Sequence, residues 1–154
     1  AKRLEKAGVA FAGGELFEAL RIESWLTRYG VVITDDHLAQ ECRRTAAAIS
    51  FTKGCYLGQE PIARIDALGH VNRELSVLEG AAPGAEQVSA GIEVKESGGA
   101  SVGLLTSAAW HPRTQSPWGL AVLKRSGSTE GTRLTGAGGN TPFIVHTPLA
   151  ATGR

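Results

Sequence analysis

Residues 53–60 read Lys53-Gly54-Cys55-Tyr56-Leu57-Gly58-Gln59-Glu60, the densest run of chemistry in the chain. Two glycines bracket a thiol and a phenol, a lysine stands two places before the cysteine, and a polar pair closes the run. Gly54 and Gly58 suit positive φ or close backbone approach, and equally suit a plain turn. Upstream lies the apolar segment Ala46–Phe51. Downstream, Gly58–Leu68 has helical character, with Pro61 in the first turn, where its missing donor does no harm. A tight, polar loop between two regular elements is a common place for function.

The thiol of Cys55 has two readings. A nearby lysine and a following helix start would lower its pKa, making it a nucleophile, a redox-sensitive group or a thiolate ligand. A small apolar filler is the alternative. Gln59 and Glu60 can cap amides or bond a ligand's ring nitrogens. Arg64 either pairs with Glu60 at i,i+4, worth about 0.2–0.5 kcal/mol, or offers its fork to a ligand carboxylate.

Working outward, the N-terminal side is helical and the C-terminal side is not. Leu4–Phe11 mixes apolar and charged residues and stops at Gly13-Gly14. Leu16, Phe17, Leu20, Trp25 and Leu26 predict an amphipathic helix from Glu15 to near Gly30, carrying Arg21 and Glu23. Val31–Ile33 is β-branched. Thr34-Asp35-Asp36 offers helix-start chemistry for a weaker segment through Arg44.

From Val71 onward, alternation takes over in Val71–Leu78, Gly91–Lys95, Ser101–Ala109, Gly119–Lys124, Thr132–Leu134 and Phe143–Val145. Ala82-Pro83-Gly84, Ser97-Gly98-Gly99 and Arg125-Ser126-Gly127 punctuate them. Short strands at even spacing predict a small antiparallel barrel or sandwich. The boundary is expected near Gly69–Asn72, giving 1–70 and 71–154. Trp110, Pro112, Pro117 and Trp118 form an aromatic segment suited to core packing or to contact between the two parts.

Composition removes several classes. Of 154 residues, 42% are apolar and 20% charged, as in a globular protein. Sixteen basic against fifteen acidic residues leave +1, so charge makes no case for bulk nucleic-acid or membrane-surface binding. No apolar run approaches the ~20 residues of a membrane span. Cys42 and Cys55 are the only cysteines, too few for a disulfide framework and without metal spacing, which favours a reducing, cytoplasmic setting. His37, His70, His111 and His146 are scattered singly, so no metal site is expected. The chain opens at Ala1 and contains no methionine, as a segment of a longer protein or a processed one would.

The run 53–60 closely resembles the signature of the YgfZ branch of the glycine-cleavage T-protein (aminomethyltransferase) superfamily. Leu20-Arg21-Ile22-Glu23 with Tyr29-Gly30 looks like that branch's Arg-x-Glu helix, and Gln40-Glu41 like the dipeptide upstream of the signature. Ile49–Thr52 leads in as its strand does, and Ala63–Arg73 resembles the helix and exit that follow. The match is good over Leu20–Leu78, and the tail looks like the superfamily's C-terminal barrel by pattern. There are departures: the branch tends to have glycine at the place of Trp25, proline at Thr27 and at Ala39. A glycine-cleavage aminomethyltransferase proper has a different segment in place of the cysteine loop.

The resemblance implies an α+β fold: the C-terminal part of a folate-binding α/β domain, then a small antiparallel β-barrel of about six strands. It implies tetrahydrofolate as ligand of the full-length protein. It places Lys53, Gly54, Tyr56, Gly58, Gln59, Glu60, Arg64, Arg21 and Glu23 at the folate site and makes Cys55 the reactive thiol. It further implies a role beside iron–sulfur assembly proteins or tRNA-modifying enzymes, accessory rather than classically enzymatic. Alternatives are a tetrahydrofolate-dependent aminomethyltransferase and a non-catalytic interaction module. Residues 1–70 would expose an apolar face, so self-association is expected.

Overall fold

A computed structural model describes residues 2–81, 88–136 and 141–147. Six strands follow the alternating segments: β1 (Arg73–Gly80), β2 (Glu93–Lys95), β3 (Ser101–His111), β4 (Ser116–Lys124), β5 (Arg133–Gly136) and β6 (Pro142–His146). They close, all antiparallel, into a barrel of order β1-β4-β3-β2-β5-β6. Closure leaves no sheet edge for foreign pairing. The Ala82-Pro83-Gly84 turn expected from the sequence lies outside the described residues.

Alternation sorts the barrel side chains into two cores. Leu78, Val94, Val102, Leu105, Ala121, Leu123, Leu134, Phe143 and Val145 pack together as one buried cluster. Leu75, Val77 and Leu120, one residue out of phase, join Ile22 and Val32 in a second. The strands β1 and β4 are therefore buried on both faces. Close packing fixes Gly103, where an added Cβ would stand 2.6 Å from the Val122 carbonyl oxygen.

Four helices precede the barrel: α1 (Lys2–Lys6), α2 (Gly14–Glu23), α3 (Thr45–Ala48) and α4 (Gln59–Leu68), with a 3₁₀ turn at Ala39–Cys42. Helix α2 lays Ala19 and Ile22 against β3 and β4. It stops at Glu23, seven residues before the expected Gly30. Trp25 takes a left-handed conformation (φ +58), and its N–H donates to the Ile22 carbonyl while that of Leu26 donates to the Arg21 carbonyl, each at 3.0 Å. This is the bonding of a helix C-cap that usually needs glycine, the residue the resemblance expects here. The indole instead packs on the second core, offsetting a backbone penalty of about 1–2 kcal/mol.

Three further expectations give way to local geometry. Val31–Ile33 forms only an isolated bridge between Tyr29 and Ile33. Thr34 spends its hydroxyl and N–H on Asp36 and His37, so the segment through Arg44 is helical only at Ala39–Cys42. Ile49–Thr52 is no strand, because no described strand lies beside it to complete a ladder. Helix α4, by contrast, runs as expected, with Gly58 (φ +84) and Gly69 (φ +74) at its ends. No described helix is long and apolar enough to cross a membrane.

A candidate ligand groove at the 53–60 loop

The loop stands out from the body. Lys53, Gly54, Cys55, Leu57, Gly58, Glu60 and Arg64 are exposed, and Tyr56 and Gln59 are half-buried. Leu57 is fully exposed. Lys53 lays its ammonium over the Tyr56 ring, 4.4 Å from the centroid, so the lysine is directed along the loop. The thiol of Cys55 is open to solvent, whereas burial, aided by the Glu41 charge, pushes the Cys42 thiol up. Of the two, Cys55 has the greater access, which reactivity requires.

Positive φ at Gly58 turns the chain into α4 without a side-chain cap. In the first turn of α4 the Gln59 N–H donates to the Tyr56 carbonyl at 3.2 Å and Pro61 has none, which leaves that of Glu60 without a backbone partner. Tyr56, Leu57, Gly58, Gln59, Glu60, Pro61 and Ala63 line an open groove of about 500 Å³. That volume lies within the ~300–1,000 Å³ of small-molecule sites. Glu60 and Arg64 make no salt bridge with one another, so their charges remain available to a ligand.

Arg21 and Glu23 lie elsewhere, on the helix that packs against the barrel. Arg21 is buried, bonded to Glu18 at 2.9 and 2.8 Å and to the Leu26 carbonyl at 2.6 Å. The Arg21 hydrogen bond outweighs burial and, with the charges of Arg21 and Arg28, holds the Glu18 carboxyl below its ordinary value. Glu23 meets Arg113 and the Nε2 of His111, the latter at 3.3 Å. Since the Thr114 N–H donates to His111 Nδ1, the His111 proton sits on Nε2 and is donated to Glu23. His111 also stacks on Trp118 at 4.7 Å, which makes the aromatic segment a contact between helix and barrel, as its composition suggests. Glu23 thus spends its charge on docking α2 to the barrel, while Arg21 spends its own within the helix and its exit.

The sequence marks Glu41 and Arg73 but not their pairing, nor that of Arg43 with Glu74. Glu41, buried in the 3₁₀ turn, accepts from Arg73 Nε at 3.1 Å and from the Leu38 N–H at 3.1 Å. Arg43 binds the Glu74 carboxylate and, at 3.1 Å, the Ser128 carbonyl. Partial burial alone would raise the Glu74 carboxyl, but hydrogen bonds from Arg43 and Ser128 and the charges of Arg43 and Arg125 hold it low. These partners lie 31 to 85 residues apart, beyond any local pattern.

No family model matches the chain. Among solved structures, the chain is similar to the glycine cleavage system aminomethyltransferase T from Bartonella henselae, with a TM-score of 0.81 and 21% identity. The match covers 96% of this chain and 41% of that one. The chain therefore has the fold of the corresponding part of that protein and spans about two-fifths of its length.

Proposed function

We propose that this chain is part of a tetrahydrofolate-binding protein of the YgfZ kind, with the 53–60 loop lining or gating the folate site. The observation that carries the reading is the exposed signature loop. It borders an open groove at the uncapped start of α4, on a fold like that of an aminomethyltransferase T. The residues present suit the ligand. Lys53 or Arg64 complements the glutamate carboxylates of folate. Gln59 and Glu60 suit the donors and acceptors of a pterin ring. Cys55 supplies an accessible thiol in the same loop, and the role extends to iron–sulfur cluster maintenance and tRNA modification.

Titrating tetrahydrofolate into the intact protein and into this chain tests the binding. The intact protein is expected to bind, this chain more weakly, and Arg64→Ala in the intact protein to lose about tenfold or more. Absence of binding to the intact protein would sink the reading. For the thiol, Cys55→Ala in cells is expected to depress iron–sulfur enzyme activity. Unchanged activity removes Cys55 from the function.

A second reading, tetrahydrofolate-dependent aminomethyl transfer, is favoured by the structural likeness to an aminomethyltransferase. Turnover of an aminomethyl donor by the intact protein, dependent on tetrahydrofolate, decides for it.

A further inference from the structure

The loop and its groove ride on α4, and α4 has little to hold it. None of its side chains is fully buried. Ile62 and Ile65 are half-buried, and beside Ile65 an open cleft of about 210 Å³ runs among Gln40, Thr45, Asp66, His70 and Glu74. Apolar packing therefore holds the helix only weakly. What reaches across is Gln40 Nε2, which donates to the Ile62 carbonyl at 2.9 Å, the side-chain hydrogen bond that ties α4 to another described element. The carbonyl can only accept, so the amide orientation is fixed, and Gln40 Oε1 is left buried without a donor. A buried acceptor without a partner is costly, and an apolar residue here would avoid that cost.

The residues flanking Gln40 are anchored in turn. Glu41 is bonded to Arg73 and Arg43 to Glu74, the first two residues of β1. A continuous polar path thus runs from the rigid barrel through Ala39–Cys42 to the first turns of α4 and the groove. We propose that Ala39–Cys42 is a clasp that sets the position of the signature loop on the barrel, with Gln40 as its positioning residue. The ligand consequence rests on the folate reading above; the clasp itself does not.

Hydrogen exchange on the 154-residue chain tests it by segment. Gln40→Leu removes the donor and the orphaned acceptor together. Amides of Gln59–Leu68 are expected to exchange about three- to tenfold faster, while those of β1, β3 and β4 keep their rates. Arg43→Met, which removes one of the clasp's two anchors on β1 without touching α4, should give the same pattern to a smaller degree. Unchanged exchange in α4 in both variants overturns the proposal. So does equal acceleration of α4 and barrel in both, which would make these residues general stabilisers. In the intact protein, Gln40→Leu should weaken tetrahydrofolate by a similar factor. If neither parent nor variant binds tetrahydrofolate while α4 alone is loosened, the folate reading fails and the clasp stands.

Discussion

The barrel and the helical stretch before it treat their apolar residues in opposite ways. Of the sixteen buried apolar residues among those described, twelve lie on the six strands and three lie before residue 70. Of the fourteen large apolar residues left exposed, thirteen lie before residue 70, among them Phe11, Phe17, Leu20 and Leu57. Burial is the main source of folding free energy, so the barrel carries the stability. The helical stretch is held to it by one face of α2 and by the polar clasp. The residues with chemistry to offer sit on the loosely held part, as binding loops generally do.

The largest test of this contrast lies in the barrel core. Phe143→Ala should cost about 3–5 kcal/mol in denaturant unfolding. A loss below about 1 kcal/mol would mean that the barrel is not the stabilising unit.

Two positions on α2 then separate the docked face from the free one. Ile22→Ala, in the second core, should cost about 2–5 kcal/mol. Leu20→Ala, half-exposed two residues away, should stay within about 0.5 kcal/mol. Equal costs would show that α2 is covered on both sides.

The clasp gives a smaller effect with a pH signature. The folded Glu74 carboxyl is held below its unfolded value, so its contribution is present above the unfolded value near pH ~4.3 and is lost as pH falls through the folded one. Glu74→Gln should thus cost about 1 kcal/mol at pH 7, a difference from the parent that closes under acid unfolding. A difference that persists at low pH assigns the loss to packing.

The smallest effect is expected at the most exposed apolar residues. Phe17→Ser should leave the unfolding midpoint nearly unchanged while shifting the chain toward monomer in sedimentation equilibrium. If the parent sediments as a monomer at every concentration, the exposed face does not drive self-association.

Much of this was legible from residues alone. All six strands announced themselves by alternation, and the bounds of α4 by Gly58 and Gly69, because both signals are local: a pleat of period two and a left-handed turn. Helix α2 misled at its end. Nothing in the sequence around Trp25 marks a helix stop, and the left-handed tryptophan persists because its ring finds the second core. Thr34-Asp35-Asp36 misled in a similar way, since the same side chains that cap helices also close turns by themselves.

What the sequence determined by itself is the barrel and the bounds of α4, since a period-two pleat and the glycines that end a helix both act over short stretches of chain. Tertiary structure alone decided what the charged residues do. Glu23 meets His111 and Arg113 of the barrel and Arg21 is held by Glu18 and the Leu26 carbonyl, while Gln40, Glu41 and Arg43 tie α4 to β1. Charges choose partners by distance in space, and barrel closure brings together residues as far apart in sequence as Arg43 and Ser128.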